Sequence, residues 1–393
     1  MDIDIIQNEN VDYNPPKVGK IFTLSFAHLL NDWYSNYIQS LLPFMIAAGL
    51  SISKGAFLVS AFTLTSSILQ PVFGYLVDQK DQRWMVYVGT LWMAILLGMV
   101  GLIGAYPLLF ITVALAGLGT AAFHPQASAM VSAVSGNRRG FFQAIFVTIG
   151  NVGLAFTPLM VVPFVEEFGM KATPIFIIPG VIVSILLWIS APKMPPSEKT
   201  NRPALSRVIK GSIKSIMKVL NVVIIRSLAY FGLVAFLPLY LQEKDISMTF
   251  SSYLIFLMLF SGALGGLLGG HLSDKIGRKP VVAGSLLLAT PMFYLFLNTP
   301  APYSYIFLAL AGATLLSSFS ITVVIAQEIM SKNAAMASGM MLGFGIGIGG
   351  LGVGLMGIVA ELTSVDFVIN LLVTLPVFAG LMALFIKEKR QVA

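Results

Sequence analysis

The sequence predicts an all-α membrane protein with twelve transmembrane helices in two pseudo-symmetric six-helix halves. Hydrophobic residues make up 57% of the 393 residues and charged residues only 10%, whereas a soluble domain has about 25% charged residues. A helix needs about 20 apolar residues to cross a hydrocarbon core of about 30 Å. The apolar runs reach this length without the alternation that barrel strands would require.

Twelve apolar runs follow one another along the chain. The predicted helices cover residues 22–46, 55–77, 84–103, 107–133, 141–164, 173–191, 219–241, 251–272, 281–298, 304–329, 335–360 and 367–386.

The longest polar interruption runs from residue 192 to residue 218 and separates the sixth and seventh helices. It predicts an N-terminal half over 1–191, a linker over 192–218 and a C-terminal half over 219–393. In the later part of the linker, 205–218, apolar and basic residues recur at helical spacing. Two interpretations are open for this part: an amphipathic helix on the inner leaflet, or a solvated linker whose charges fix topology.

The basic residues predict the orientation in the membrane. Of the 24 Lys and Arg residues, only Lys54, Lys171 and Lys244 fall in loops opposite the N-terminus, and Arg226 falls inside a helix. The positive-inside rule therefore predicts a multi-pass protein of the cytoplasmic membrane with both termini cytoplasmic. The net charge of +7 lies in loops that meet anionic lipid, so we expect no nucleic-acid partner.

A loop motif occurs once in each half. Residues 270–279, GHLSDKIGRK, fit the pattern G-x-L-x-D-[RK]-x-G-[RK]-[RK] at every position, and residues 74–83, GYLVDQKDQR, are a degraded copy. The pattern resembles the loop signature of the major facilitator superfamily. The resemblance implies two related halves that alternate access to a central cavity.

Asp32 and His28 are the candidate proton-coupling residues. A helix that enters near Lys20 places Asp32 about 18 Å deep at about 1.5 Å per residue, and a carboxylate at that depth is expensive and usually functional. His28 lies one turn earlier on the same face. The pair could bind and release a proton, or it could form an interhelical hydrogen bond that only holds the bundle together.

Candidate substrate-binding residues lie on three other helices. His124 precedes Pro125, which is expected to bend the fourth helix and expose the imidazole to a cavity. Gln143 and Asn151 share a face of the fifth helix. Arg226 lies roughly 10 Å into the seventh helix and needs an anion, which is either a carboxylate such as Asp32 or a bound substrate. A packing role for the polar residues and snorkelling for the arginine are the alternatives.

The loop motif supplies candidate gating residues. Glu328 ends the tenth helix, and its expected partners are Arg278 or Lys279 of the 270–279 motif, in a latch that also depends on Asp274. The first half keeps Asp78 at the corresponding position but has Gln82 in place of the arginine. We expect its latch to be weaker.

Motifs of enzymes and ATP-driven pumps are absent from the sequence. There is no G-x-x-x-x-G-K-[ST] loop, no Cys/His metal cluster and no nucleophile elbow, and the chain has no cysteine. We therefore expect neither an enzyme nor a resident cofactor or metal. The expected partners are a small-molecule substrate, protons and membrane lipid, with the protein a monomer.

Several further stretches make the resemblance more specific. They are HLLND at 28–32, LQPVFGY at 69–75, FHP at 123–125, GNVG at 150–153 and AQE at 326–328. Together they resemble the fosmidomycin resistance family, with a basic residue at Arg226 as in that family. Thr157 departs from the glycine expected before Pro158.

The resemblance implies an antiporter that exports drugs or other small amphiphilic molecules in exchange for protons, as in multidrug efflux and antibiotic resistance. Two alternatives remain open from the residues. One is proton-coupled uptake of an organic anion, and the other is a non-transporting sensor or receptor on the same fold.

Overall fold

In the computed structural model, the described residues 15–79, 81–193, 205–330 and 334–386 are helical apart from short connections and contain no strand. The predicted fold class is confirmed. The helices are α1 (Val18–Ser35 and Tyr37–Ala47), α2 (Ile52–Ile68 and Gln70–Gln79), α3 (Trp84–Gly98), α4 (Tyr106–Val134), α5 (Arg139–Phe168), α6 (Ile177–Ser190), α7 (Leu205–Gln242), α8 (Met248–Ile276), α9 (Arg278–Asn298), α10 (Tyr303–Ile329), α11 (Ala334–Gly339, continued by Ile346–Leu362) and α12 (Val365–Ala383).

The helix α1 is divided at Asn36. Eleven of the helices in the described ranges are long and apolar enough to cross a membrane as continuous units, and α1 completes the set of twelve as two segments. The Asn36 side chain donates from Nδ2 to the carbonyl oxygen of Leu154 on α5, 3.0 Å away. The break therefore lies one turn after Asp32 and is held by a neighbouring helix.

The helix α7 begins earlier than the sequence predicted. It starts at Leu205 rather than 219, so the later part of the predicted linker is helical and continuous with the seventh span. This stretch contains no helix-breaking proline, and its apolar residues recur at helical spacing. Contact of this segment with lipid and the three domain boundaries stay predictions, and residues 194–204 lie outside the described residues.

Equivalent helix pairs pack together in the two halves. In the first half α1 packs on α5, α2 on α4, and α3 on both α4 and α6. In the second half α7 packs on α11, α8 on α10, and α9 on both α10 and α12. Between the halves α2 packs along α11 and α5 along α8. Each helix pair of the second half has numbers six higher than the equivalent pair of the first half. This is the internal symmetry that the repeated motif predicted.

The contact between α2 and α11 is closest near the end of the bundle where α1 ends and α2 begins, here termed the distal face. The opposite end, where α1 begins, is the terminal face. The Ser60 hydroxyl on α2 donates to the carbonyl oxygen of Gly350 and accepts from the N–H of Gly354, both at 2.8 Å. A regular α-helix joins these two backbone groups directly. At the distal end of the same helix pair, the Ser53 N–H donates to Glu361 Oε1 at 2.9 Å.

Glycine is required on α11 because a side chain would prevent this contact. A Cβ atom at Gly350 would lie 2.2 Å from Thr63 Cγ2, and one at Gly354 would lie 3.0 Å from Ser60 Oγ. The glycine-rich sequence of α11 thus serves close approach of two backbones. The helix also contains a π-helical segment at Met340–Gly345.

Ser60→Ala should weaken closure of the distal face. The variant removes both cross-half hydrogen bonds, worth about 1 kcal/mol net because Gly350 and Gly354 can then pair with each other. A change of that size shifts the ratio of closed to open molecules roughly fivefold. Because the chain has no cysteine, spin labels on Lys54→Cys and Leu362→Cys report the distal distance without background.

The matched control is Ser66→Ala on the same helix, because the Ser66 hydroxyl bonds only to the Thr63 carbonyl of α2 itself. It should leave the distance distribution unchanged. A longer distance in both variants, or in neither, would contradict the closing role of Ser60.

Candidate functional site

A carboxylate and two imidazoles meet in the interior of the first half. Asp32 Oδ2 lies 3.3 Å from His28 Nε2 on the same helix, and Asp32 Oδ1 lies 3.3 Å from His124 Nε2 on α4. His28 and Asp32 are buried, whereas the His124 side chain remains 22% exposed. The helix α4 continues through Pro125, and the bend expected there stays a prediction. The structure brings together two predicted proton-coupling residues and one predicted substrate-binding residue.

The tautomer of His28 is fixed by α5. Its Nδ1 lies 2.8 Å from the carbonyl oxygen of Phe146, and because a carbonyl can only accept, Nδ1 must carry hydrogen. Nε2 then faces the Asp32 carboxyl group, and two lone pairs at that distance would repel. A proton on either group would remove this repulsion, giving an imidazolium with a carboxylate or a neutral imidazole with a carboxylic acid.

The surroundings of this pair are apolar and tightly packed. The Phe146 ring stacks on the His28 ring with centroids 4.0 Å apart, and His124 meets His28 edge-on at 5.0 Å. Gly150 lies against the pair, because a Cβ atom there would be 2.4 Å from His28 Cε1 and 2.5 Å from Asp32 Oδ2. The missing side chain of Gly150 lets α5 approach the pair closely.

The same three side chains are also a possible set of metal ligands. The ligand atoms of His28, Asp32 and His124 lie within 4.8 Å of one another. Each Asp32 oxygen lies 3.3 Å from an imidazole nitrogen. The sequence predicted no metal, and that stays an expectation.

Arg226 on α7 is buried in the second half, with 2% of its surface exposed. Its Nη1 donates to Thr322 Oγ1 at 3.4 Å, and the guanidinium lies over the Phe319 ring, 4.7 Å from the centroid. Both partners are on α10. Among the described residues no carboxylate pairs with this guanidinium, and Asp32, named from sequence as one possible partner, contacts His28 and His124 instead. The side chain is enclosed by the bundle, so it does not snorkel to the surface.

Tyr230 connects the two charged regions. It lies one turn after Arg226 on α7, and its hydroxyl faces the Asn36 side chain at the break in α1. A tyrosine hydroxyl can donate and accept. Tyr230 therefore lies between Arg226 of the second half and the break in α1 of the first.

Gln143 and Asn151 are placed differently from each other. Gln143 Nε2 donates to the Ser128 hydroxyl and, at 3.4 Å, to the Ser128 carbonyl oxygen, so this side chain joins α5 to α4. Asn151 is half-buried next to Gly150. A substrate contact for either residue stays a prediction.

The gating residues lie at the terminal face. Arg278, at the start of α9, forms an ion pair with Glu328 near the end of α10, and Asp274 is exposed near the end of α8. The ion pair joins two neighbouring helices of the second half. The Asp78 side chain lies outside the described residues. A gating role for all four stays a prediction.

Sequence reasoning missed three contributors to the site. Tyr230 had a signal, since it is four residues from Arg226 and on the same helical face. The Phe146 carbonyl had none, because any residue offers the same backbone group. The Thr157 hydroxyl, at the position that departs from the family pattern, donates to the Trp33 carbonyl oxygen at 2.7 Å and thereby joins α5 to α1.

Comparison with known proteins identifies the family. A family model described as Major Facilitator Superfamily matches residues 22–351 and 219–393. The chain belongs to the major facilitator superfamily. It is therefore a multi-pass membrane transporter.

Relatives in bacteria cover almost the whole chain. The chain is 28% identical over 380 residues to the fosmidomycin resistance protein of Escherichia coli, covering 95% of this chain and 93% of the relative. It is also 28% identical over 387 residues to an uncharacterized MFS-type transporter, YfnC, of Bacillus subtilis, with 94% and 93% covered. A multidrug resistance protein, MdtG, of Dickeya zeae is 25% identical over 291 residues, with 69% and 68% covered.

Solved transporter structures share the fold. A bacterial homologue of the lysosomal transporter Spinster, in an inward-facing and occupied conformation, aligns with a TM-score of 0.72 at 14% identity, covering 95% of this chain and 97% of that one. The nucleoside transporter NupG aligns with a TM-score of 0.73 at 14% identity, with 94% and 100% covered.

Gly150→Ala should separate His28 from Asp32. The new methyl group would overlap both side chains, and overpacking of this kind costs about 1–3 kcal/mol. We expect a lower melting temperature and a changed proton release by the purified protein after an alkaline pH jump, followed with an indicator dye. The control is Gly284→Ala on α9, where a Cβ atom meets nothing within 4 Å. Proton release like that of the unmodified protein in Gly150→Ala would contradict the assignment of the shared proton.

Proposed function

We propose that this transporter is proton-coupled, with Asp32 and His28 binding the coupling proton, and that it exports small drugs or amphiphilic organic molecules by antiport. The observation behind the coupling is the hydrogen bond from His28 Nδ1 to the Phe146 carbonyl. That bond supports the binding of a proton by the His28–Asp32 pair while α1 and α5 keep their present positions.

Release of the proton then requires movement. Once the proton has left, the Nε2 lone pair of His28 faces an ionised carboxylate, and the arrangement stays stable only if the imidazole turns or α5 shifts away. The helix α5 packs along α8 of the other half. A shift of α5 therefore changes the contact between the halves, which links proton binding to alternation of access.

Export is supported by the relatives, since one is named for fosmidomycin resistance and another for multidrug resistance. Antiport requires that substrate and proton compete. In the proposed cycle, a hydrogen-bond donor group of the substrate binds ionised Asp32, and the partly exposed imidazole of His124 is a second polar contact for the substrate. Gln143 and Asn151 on α5 complete the proposed substrate path.

Uptake of an organic anion is the second candidate, and the environment of Arg226 favours it. The guanidinium is buried without a carboxylate partner among the described residues, so an anionic substrate would supply its missing counter-charge. Tyr230 has both Asp32 and Arg226 in its electrostatic environment. A proton on Asp32 removes a negative charge near the anion, so proton and anion would bind together. Cooperative binding of this kind drives symport, not antiport.

Gating and orientation complete the proposal. The ion pair of Arg278 with Glu328, together with Asp274 and Asp78, holds the terminal face in one conformational state. The terminal face is cytoplasmic, as the distribution of basic loops requires, and the protein acts as a monomer in a bacterial inner membrane.

Asp32→Asn should abolish proton-driven transport while the protein still folds and still exchanges substrate. The amide keeps the size and hydrogen-bonding shape of the carboxyl group but cannot titrate. In proteoliposomes we expect no accumulation of labelled fosmidomycin under a proton gradient of either sign, with counterflow at symmetrical pH retained. The control is Asp245→Asn in the exposed α7–α8 loop, where φ is 61° and asparagine is tolerated.

Accumulation near the unmodified rate in Asp32→Asn would show that the proton binds elsewhere. Absence of transport by the unmodified protein under both gradients would favour a non-transporting sensor on this fold.

The pH dependence of substrate binding distinguishes export from uptake. If proton and substrate compete, the affinity for fosmidomycin should fall as pH is lowered from about 8 to about 5. If they bind together, it should rise. Binding measured by calorimetry over this range gives the sign, and Asp32→Asn should flatten the dependence in both cases.

Arg226 determines which cargo is accepted. Arg226→Ala should lose at least tenfold in affinity for fosmidomycin, a phosphonate anion, and bind a lipophilic cation such as ethidium unchanged, because only the anion uses the guanidinium. Arg226→Lys should retain part of the anion affinity. Equal loss for the anion and the cation would mean that Arg226 supports the bundle through Phe319 and Thr322 and has no role in selectivity.

A further inference from the structure

A basic cavity opens at the terminal face within the first half, away from the His28–Asp32–His124 cluster. Its volume is about 580 Å³, and its lining includes Lys17, Lys20, Arg83 and Lys193 but no acidic residue. These four side chains come from the starts of α1 and α3 and from the end of α6. Four positive charges converge on one concave surface. The transport proposal assigns no role to any of them, and only Arg83 belongs to a loop motif, as the last residue of the 74–83 copy.

The cavity is built by hydrogen bonds between helices rather than by mobile surface lysines alone. The Lys17 N–H donates to the Val134 carbonyl oxygen at 2.9 Å, which joins α1 to the end of α4. Arg83 Nη1 donates to the Ala191 carbonyl oxygen at 3.4 Å, which joins α3 to the end of α6. These two contacts hold the walls in place, and Arg83 retains further N–H groups for an anion.

None of the four basic side chains forms an ion pair with a carboxylate in the described parts of the chain. The nearby Asp81 carboxylate accepts from the backbone N–H of Arg83 at 3.2 Å. The charges are therefore available to an external anion of complementary shape.

The rim of the cavity is apolar and faces outward. Ile189, which lines the cavity, is 72% exposed, and its neighbour Trp188 is 60% exposed. Trp84, next to Arg83, is 45% exposed. Tryptophan at the end of a transmembrane helix is typical of the level of lipid headgroups. A ligand in this cavity would thus have a negative group among the lysines and hydrocarbon against the tryptophan side.

We propose that this cavity binds the headgroup of an anionic phospholipid such as phosphatidylglycerol. Basic pockets between transmembrane helices at the headgroup level bind anionic lipid headgroups, and the charge, the volume and the apolar rim match a phosphodiester that carries acyl chains. A lipid bound in this cavity contacts the ends of α1, α3, α4 and α6 and holds them at the level of one leaflet. Its occupancy does not depend on the direction of transport.

The test compares lipids that co-purify with the full-length protein from micelles containing equal amounts of phosphatidylglycerol and phosphatidylcholine, counted by mass spectrometry. The double variant Lys20→Gln and Lys193→Gln removes two positive charges. Neither side chain takes part in the hydrogen bonds described above for the cavity walls. The enrichment of phosphatidylglycerol should fall about 30-fold. The control, Lys54→Gln with Lys171→Gln, removes two charges from the distal face and should keep the enrichment. Melting curves verify that both variants fold.

Two results would overturn the proposal. One is equal enrichment in the two double variants. The other is displacement of phosphatidylglycerol by millimolar inorganic phosphate, because the cavity would then be a site for free phosphate and not for a lipid. Retention of phosphatidylglycerol in the presence of phosphate, with loss only in the Lys20 and Lys193 variant, supports the lipid site.

Discussion

The hydrogen bond between His28 and the Phe146 carbonyl is the constraint on which the site depends. It fixes one imidazole nitrogen as a donor, and the other nitrogen then needs a proton between it and Asp32. The chemistry of α1 is therefore determined by the position of α5. Gly150 makes the close approach possible, and about two turns further along α5 Thr157 donates to the Trp33 carbonyl oxygen. A neighbouring backbone group thus selects the tautomer of the imidazole that faces the buried carboxyl group.

Two contacts between the halves connect the surroundings of His28 and Asp32 to the rest of the bundle. The helix α5 packs on α8, and α2 packs on α11 by the same symmetry. At the second contact, Ser60 bonds two backbone groups of α11 that could equally bond each other. Both arrangements satisfy the buried N–H and C=O groups, so separation of α2 from α11 leaves neither group without a partner. A helix pair of this kind can close and open at a small difference in free energy, which alternating access requires.

Much of the fold and part of the site could be predicted from the sequence. Membrane helices are read from hydropathy because the bilayer imposes a single length scale, and the repeated loop motif reveals the two halves. Asp32, His28, His124 and Arg226 could be selected since charged and titratable groups are rare at that depth. The pairing of His28 with Asp32 could be predicted from their helical spacing, but their other partners could not. The Phe146 carbonyl carries no residue type, and Gln143 uses its amide on Ser128 although its helical face suggested a cavity. A helix over 205–218 was one of two interpretations, and its continuity with the seventh span was missed because positive charges and prolines upstream suggested a linker.

The length of α7 has a mechanical consequence. Thirty-eight residues at about 1.5 Å each make a rod of about 57 Å, and its apolar span begins only at Ile213. Roughly 12 Å of helix thus extends beyond the span at the terminal face. Arg226 and Tyr230 lie on the same rod, so a tilt of the projecting end is a tilt of the two residues that face the centre of the protein. A continuous helix transmits a change in tilt along its length, whereas a flexible linker does not. A partner that binds the chain near residue 205 and tilts this end of α7 therefore also shifts Arg226 and Tyr230.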